Sequence, residues 1–184
     1  IKKHQIISNG SCTTNCLAPV AMILDKYIGI NSGFMTTIHS FTGDQRTVDQ
    51  AHSDLRRART ASNSLIPTST GAAKTLGLVL PKLVGKLDGT AIRVPTSNVS
   101  LIDLTFISKK NTSAEEINKI MINASKNKRL KGILSINNLP LVSRDFNHNA
   151  SSSIFDTTQT HVIKNKFCRI LSWYDNEWGF SNRM

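Results

Sequence analysis

The sequence predicts an α+β fold in which helices cover a mixed sheet. Its apolar patterning gives many strand candidates and three helical segments, which is typical of an α+β layer architecture. The 184 residues are enough to bury a sizeable core, and 39% hydrophobic with 19% charged residues is typical of a globular protein. We therefore expect one compact domain without internal repeats.

The first predicted elements surround a cysteine. A short apolar stretch, interpreted as a strand, ends in turn and capping residues at 8–11. A helix is predicted from Cys12, because apolar residues then recur at helical spacing until a stop at Gly29. Residues 33–41 are β-branched and aromatic, which predicts a strand with His39 near its end.

The rest of the chain predicts a long loop followed by further helices and strands. Residues 42–70 show no sustained period and form a loop of a length that is usually functional. The later segments are a helix over 71–83, strands over 91–94 and 99–108, a helix opened by a capping box at 113–116, and strands at 141–146, 152–163 and 167–174. Alternation in the 99–108 strand predicts one wetter face.

Composition excludes several classes of protein. No run approaches the roughly 20 apolar residues of a membrane span, and the start of the chain lacks the apolar core of a secretory signal. Three cysteines, an odd number, do not make a disulfide framework. We expect a soluble protein of the reducing cytoplasm with no membrane partner.

The net charge of +11 indicates attraction to anions such as phosphates or nucleic acid. The basic residues are scattered and lack the interleaved aromatic residues of a single-strand binding face. Solvated surface charge is the simpler interpretation, so nucleic-acid binding is not favoured.

Cys12 is the first candidate for chemistry. The free N–H groups and dipole at a helix start stabilise a thiolate, which predicts a thiol pKa lowered toward neutrality. A buried structural cysteine is the alternative, but Ser11 and Thr13 flank the thiol with hydroxyls that can bind a small anionic or carbonyl substrate. Cys16, one turn further on, is predicted to be structural.

A cysteine nucleophile needs a base, and His39 is the histidine best placed to supply it. The sequence contains five histidines, and only His39 lies at a predicted strand end beside a hydroxyl-rich loop. The alternative is a structural histidine with all of its hydrogen bonds satisfied.

Other polar residues indicate anion and amide binding. Thr70 and Gly71 stand just before a predicted helix, an arrangement that binds phosphate or serves as an ordinary N-cap. Arg93 lies between apolar residues and needs an anion or a carboxylate such as Asp44. Asn176 follows an apolar strand, and its side chain could bind an amide ligand.

Together these residues resemble the glyceraldehyde-3-phosphate dehydrogenase family. The segment Ser8-Asn-Gly-Ser-Cys-Thr-Thr-Asn-Cys-Leu-Ala-Pro19 is similar to the active-site signature of that family. The resemblance continues through 36–39, 56–59, 66–74, 85–87, 93–96 and 172–177, nearly the whole chain.

The resemblance implies a phosphorylating, NAD-dependent aldehyde oxidoreductase of glycolysis. Cys12 would attack the aldehyde of D-glyceraldehyde 3-phosphate while His39 accepts its proton and helps to hold the oxyanion. Hydride would pass to NAD, and inorganic phosphate would attack the thioester to give 1,3-bisphosphoglycerate. The resemblance assigns one phosphate group to Ser11, Thr13, Thr70, Gly71 and Arg93, and the other to Thr42 with Arg93. It assigns the nicotinamide carboxamide to Asn176 and an assisting role to Arg57.

The resemblance also implies an architecture. Residues 1–184 would be the catalytic domain, a mixed, largely antiparallel sheet with helices packed on one face. No G-x-G-x-x-G fingerprint occurs, so we expect the N-terminal Rossmann NAD-binding domain and the final C-terminal helix to lie outside this chain, a fragment that is inactive alone. NADP stays open as the cofactor, and loop 42–70 would face neighbouring subunits of a homotetramer.

Two alternatives accompany this interpretation. Erythrose-4-phosphate dehydrogenase, a relative, shares the cysteine and histidine and resembles the stretch from Pro140, but departs at residues 70–73. A non-catalytic RNA-binding module would use the basic surface and show steeply salt-dependent binding.

Overall fold

The computed structural model describes residues 4–184. The helices are α1 (Cys12–Tyr27), α2 (Ala72–Val79), α3 (Ala114–Ser125) and α4 (Trp178–Ser181). The strands are β1 (Ile30–Ser40), β2 (Ile66–Ser69), β3 (Leu87–Val94), β4 (Ser100–Ser108), β5 (Leu134–Asn137), β6 (Ser153–Asp156), β7 (His161–Ile163) and β8 (Phe167–Tyr174). Short 3₁₀ turns occupy Pro81–Leu83, Ser143–Phe146 and Thr157–Gln159.

The strands join one mixed sheet. Seven of them follow the order β2-β3-β1-β4-β8-β6-β5, and β7 also pairs with β8. The β1–β3 and β5–β6 pairs are parallel, whereas the other pairs are antiparallel. The predicted α+β architecture with a largely antiparallel mixed sheet is confirmed.

Helices α1, α2 and α3 share one core with the sheet. Helix α1 contacts α2, α3 and the central strands, and all three helices contribute to the same buried cluster. In β4, Ile102, Leu104 and Phe106 are buried in this cluster, while Asp103 and Thr105 lie on the more accessible face. The predicted wetter face of this strand is confirmed.

Helix α1 begins at Cys12, as predicted. Ser11 caps it, since the Ser11 Oγ accepts a hydrogen bond from the N–H of Thr14 at 3.0 Å. The helix ends at Tyr27, and Gly29 follows with a φ of +71°, the left-handed conformation that commonly terminates a helix.

Strand register brings several polar side chains to one edge of the sheet. His39 on β1 lies opposite Arg93 on the parallel strand β3, so both strands end at the same edge. The antiparallel β4 begins there with Ser100, which lies opposite Tyr174 near the end of β8. This edge therefore carries the candidate base.

Several predicted elements were wrong. Residues 4–11 contain no strand, and the start of the predicted first strand lies outside the described residues. Residues 141–146 hold a 3₁₀ turn closed by a hydrogen bond from the N–H of Val142 to the Asp145 carboxylate at 2.9 Å. The 152–163 segment is divided into β6 and β7 by a turn that Asp156 caps. Elements β2, β5 and α4 were missed because each has only four residues, too few to show a period.

The long loop is confirmed over residues 41–65, which hold neither helix nor strand. Ion pairs tie it together: Arg57 contacts Asp44 and, at 3.2 Å, Asp54, while Arg59 lies 3.2 Å from Asp49. None of the described helices has the length and apolar character needed to cross a membrane.

Candidate active site

One open cleft gathers most of the residues predicted to carry chemistry. It has a volume of about 470 Å³ and lies at the starts of α1 and α2 and the end of β1. Its lining includes the predicted Ser11, Cys12, Thr13, His39, Thr42, Thr70, Gly71 and Arg93. Asn176 and Arg57 do not line it.

Cys12 and His39 meet inside this cleft. The Cys12 Sγ lies 3.5 Å from the His39 Nε2, and the other ring nitrogen, Nδ1, lies 2.6 Å from the carbonyl oxygen of Ser40. A carbonyl oxygen only accepts, so Nδ1 carries the ring hydrogen and Nε2 presents a lone pair to the thiol. The geometry suits proton transfer from the thiol to Nε2.

The predicted low pKa of Cys12 was wrong. Burial raises the pKa of the thiol above its ordinary value, and hydrogen bonds from Thr13 and the charge of Arg93 only partly oppose this. The loss of solvation therefore raises the pKa of the thiol by more than the N–H groups at the start of the helix lower it. Burial, followed by the charge of Arg93, also lowers the pKa of His39 to about 4. Both shifts favour the uncharged forms of the pair, a thiol facing a neutral imidazole.

Arg93 has no carboxylate partner among the described residues. Its Nη1 lies 2.8 Å from the His39 Nδ1 and 3.4 Å from the Ser40 carbonyl oxygen, and its Nε is buried without a hydrogen-bond partner among residues 4–184. An arginine only donates, and the Nδ1 hydrogen is already directed at Ser40. Burial also lowers the pKa of the guanidinium. Asp44 is paired with Arg57 instead, so an anion in the cleft would supply what Arg93 lacks.

The hydroxyls beside Cys12 are held by their neighbours. The Ser11 Oγ caps α1 and lies 2.7 Å from the Thr14 Oγ1. The Thr13 Oγ1 lies 2.8 Å from the Tyr174 hydroxyl. These contacts hold the Ser11 and Thr13 side chains in place at the N-terminus of α1.

A second group of predicted residues lies across the cleft. The Thr70 Oγ1 accepts a hydrogen bond from the N–H of Ala72 at 3.2 Å, and Gly71 is the N-cap of α2. The Thr42 hydroxyl donates to the Gln45 Oε1 at 3.3 Å. Helix α2 therefore directs its N-terminal end at the cleft, where free N–H groups favour anions.

Asn176 lies behind His39 and is 4% exposed. Its Nδ2 is 3.2 Å from each ring nitrogen of His39, and its Oδ1 accepts a hydrogen bond from the Ser100 hydroxyl at 2.9 Å. Since Nδ1 carries the ring hydrogen, only Nε2 can accept a hydrogen bond from Nδ2, and the second hydrogen of Nδ2 is left for the carbonyl of a ligand.

The sequence interpretation missed Tyr174 and Ser100. The Tyr174 hydroxyl bridges Thr13 and Thr37 at 2.8 and 2.9 Å, and its ring meets His39 edge-on with centroids 5.9 Å apart. Tyr174 lies within the 172–177 motif named above. A tyrosine on a predicted apolar strand was the signal that could have identified it, because a buried hydroxyl needs a hydrogen-bond partner. No local signal singled out Ser100.

The other cysteines are structural in character, as predicted for Cys16. Cys16 is 0% exposed, its Sγ lies 3.4 Å from the Ser153 Oγ, and burial raises its pKa to about 12. Cys12, Cys16 and Cys168 are all free thiols. Among residues 4–184, no group of three metal-ligating side chains could hold an ion.

A family model and several relatives of this chain all carry the same family name. The model of the glyceraldehyde 3-phosphate dehydrogenase C-terminal domain matches residues 11–176. A relative named glyceraldehyde-3-phosphate dehydrogenase from Xanthobacter flavus is 63% identical over 99% of this chain and 54% of its own length. Relatives of the same name from Zymomonas mobilis and Cereibacter sphaeroides are 58% and 60% identical over 98% and 97% of this chain, and over 53% and 54% of their own lengths.

The chain spans about half the length of the curated relatives it matches. Neither the erythrose-4-phosphate enzyme nor an RNA-binding module is favoured by these relatives. With a matching domain model over most of its length, the chain belongs to the glyceraldehyde 3-phosphate dehydrogenase C-terminal domain family.

Proposed function

We propose that this chain is the catalytic domain of a phosphorylating glyceraldehyde-3-phosphate dehydrogenase. The observation that carries the proposal is the 3.5 Å approach of the Cys12 Sγ to the His39 Nε2, beside Arg93, whose buried Nε has no hydrogen-bond partner among the described residues. The fold, the family match and the relatives' names support the same activity.

Cys12 is the nucleophile and His39 the base. The Sγ forms a bond to the aldehyde carbon of glyceraldehyde 3-phosphate, and the thiol proton moves to Nε2. The resulting imidazolium then donates to the oxyanion and helps to hold it. A neutral His39, favoured by its low pKa, keeps the Nε2 lone pair available before the attack.

Arg93 holds the phosphate groups. Its buried Nε without a partner and its Nη1 contact with an imidazole leave charged donors for an anion. We assign one phosphate group to Arg93 with Ser11, Thr13, Thr70 and Gly71, and the other to Arg93 with Thr42. Inorganic phosphate attacks the carbonyl of the Cys12 thioester, and the Sγ leaves as the acyl phosphate forms. Arg57, held by Asp44 and Asp54, assists only after it exchanges those carboxylates for phosphate.

The proposed cofactor is NAD, with NADP an open alternative. When bound, it accepts the hydride that leaves the former aldehyde carbon. Asn176 fits the carboxamide of a nicotinamide, because its buried amide keeps a free donor beside His39. The Rossmann domain that binds the rest of the cofactor, a homotetrameric assembly and a cytoplasmic location complete the proposal.

Alkylation of Cys12 tests the proposed pair. Iodoacetamide is applied to the chain, and in parallel to the full-length protein, with and without glyceraldehyde 3-phosphate. We expect the substrate to slow alkylation of Cys12, and His39→Ala to slow it roughly tenfold or more because the base is lost. His161→Ala, which changes an exposed histidine on β7, is the matched control. The proposal would be contradicted if neither the substrate nor His39→Ala slowed the alkylation of Cys12 in the chain and in the full-length protein.

A further inference from the structure

The side-chain amide of Gln45 joins two residues beside the cleft. Gln45 is 3% exposed, although Gly43 and Asp44 before it are exposed. Its Oε1 accepts a hydrogen bond from the N–H of Thr42 at 3.0 Å and a longer one from the Thr42 hydroxyl at 3.3 Å. Its Nε2 donates to the Oδ2 of Asp44 at 3.1 Å. Gln45 therefore holds both a residue that lines the cleft and a carboxylate two residues further along the chain.

The two neighbours of this amide fix its orientation. A backbone N–H only donates, so the end of the amide that faces the N–H of Thr42 is the oxygen. A carboxylate only accepts, so the end that faces Asp44 is the NH₂ group. The N–H of Gln45 also donates to the carbonyl oxygen of Thr42 at 3.0 Å, which closes the same turn from the other side. A rotated amide would lose both of its side-chain contacts.

Asp44 is the carboxylate that could compete for Arg93. It stands two residues after Thr42, which lines the same cleft as Arg93. Burial lowers the pKa of Arg93, and the charge of Asp44 is among the smaller influences that raise it, so the carboxylate acts on the guanidinium electrostatically. Among the described residues, the buried Nε of Arg93 has no hydrogen-bond partner. A released Asp44 would therefore compete with phosphate for Arg93.

Three groups contact the Asp44 carboxylate. Besides Gln45, the Arg57 Nη1 binds the same Oδ2 oxygen, and the His52 Nε2 lies 3.7 Å from the Oδ1 oxygen. Arg57 must leave Asp44 to take up its proposed assisting role at a phosphate group. At 3.7 Å the His52 contact is too long for a good hydrogen bond. The Nε2 of Gln45 is then the closest side-chain donor that still holds Asp44 within residues 4–184.

We propose that Gln45 is a positioning residue of the anion site, which restrains the Asp44 carboxylate so that Arg93 stays open to phosphate. The restraint matters most when Arg57 has moved to the anion, since Asp44 has then lost its charged partner. The Thr42 hydroxyl makes the longer bond and can turn its hydrogen to phosphate, while the N–H bond keeps the turn in place. The inference rests on the proposed assignment of phosphate to Arg93 and Thr42 and deepens it.

Binding of inorganic phosphate to the full-length protein, measured by isothermal titration calorimetry, tests the inference. Gln45→Met has a similar length and no amide, so it frees Asp44. We expect phosphate to bind about tenfold more weakly, as it would if Asp44 occupied Arg93 for about nine-tenths of the time. Asp44→Asn should strengthen phosphate binding about tenfold in the Gln45→Met background, but only about twofold in the wild type, where the carboxylate is already restrained.

Asp54→Asn is the matched control. Asp54 is the other carboxylate partner of Arg57, at 3.2 Å, and the Gln45 amide donates to Asp44 instead. Its removal should change phosphate binding equally with and without Gln45. Gln45→Glu keeps an acceptor for the N–H of Thr42 and removes the donor to Asp44, so it gives the same comparison if the Gln45→Met protein does not fold.

Equal gains from Asp44→Asn in the two backgrounds would overturn the inference, because Gln45 would then not act through Asp44. Unchanged phosphate binding in Gln45→Met would overturn it as well. A wild-type protein that binds no phosphate would overturn it together with the phosphate assignment of Arg93. The proposed nucleophile and base are tested separately, by the alkylation of Cys12.

Discussion

At the scale of single residues, desolvation decides the charge state of the reactive pair. Cys12 begins a helix, which favours a thiolate, yet burial raises its pKa. His39 is 3% exposed, and burial together with Arg93 lowers its pKa to about 4. Both shifts therefore oppose an ion pair between the two side chains.

The low pKa of His39 predicts a measurable loss of stability in acid. The ordinary pKa is 6.5 and the folded value is about 4, so between these values the unfolded chain binds a proton that the folded chain does not. The free energy of unfolding is unaffected above pH 6.5 and falls as the pH decreases below it. Between pH 7.5 and pH 5 we expect the wild type to lose about 2 kcal/mol more than His39→Gln, measured by urea unfolding. The same pH dependence in both proteins would contradict this burial effect.

At the scale of elements, the parallel pair β1–β3 sets the distance between His39 and Arg93. Met35 lies opposite Gly89 in this pair, and His39 lies opposite Arg93 four residues later. A Cβ at Gly89 would lie only 2.6 Å from the carbonyl oxygen of Met35. The glycine therefore permits the close approach of the two strands.

Gly89→Ala is expected to destabilise the protein by about 1–3 kcal/mol, because the backbone of Met35 must move to accommodate the methyl group. Thermal and urea unfolding measure the change. Gly43→Ala, in the long loop, is the matched control, since a Cβ there meets no atom within 4 Å. The prediction would be wrong if both variants unfolded at the wild-type midpoint.

At the scale of the whole molecule, one continuous core joins α1, α2 and α3 to the sheet. Two of the free thiols, Cys16 and Cys168, are 0% exposed within it, whereas Cys12 is partly exposed at the cleft. Labelling of Cys12 therefore reports on access to the cleft, and labelling of Cys16 and Cys168 reports on opening of the core.

Thiol labelling in increasing urea tests whether the core unfolds as one cooperative unit. At pH 8 we expect Cys12 to react with an aromatic disulfide reagent in the folded protein, and Cys16 and Cys168 to react together along the global unfolding curve. Cys12→Ser should leave no thiol that reacts before unfolding. Labelling of Cys168 well before Cys16 would show instead that β8 opens independently of the helices.

Local sequence patterns were enough to predict the elements with a clear period and to nominate candidate residues beside them. Helix α1, strand β1 and strand β4 followed from spacing and capping, because these signals lie within short segments of the chain. The assignment of Cys12 and His39 as nucleophile and base stays a prediction that rests on the resemblance of their motifs to a known family. The short elements β2, β5 and α4 carry too few residues to reveal a period, so sheet pairing and packing define them.

The pKa values and hydrogen-bond partners of the site depend on contacts between segments that are distant in the chain. Burial reversed the expected pKa of Cys12, and the pairing of Asp44 with Arg57 left Arg93 without a carboxylate. The contact of Ser100 with Asn176 joins residues 76 positions apart in the chain. Desolvation and hydrogen-bond partnership depend on which segments meet in space, and local sequence patterns do not contain that information.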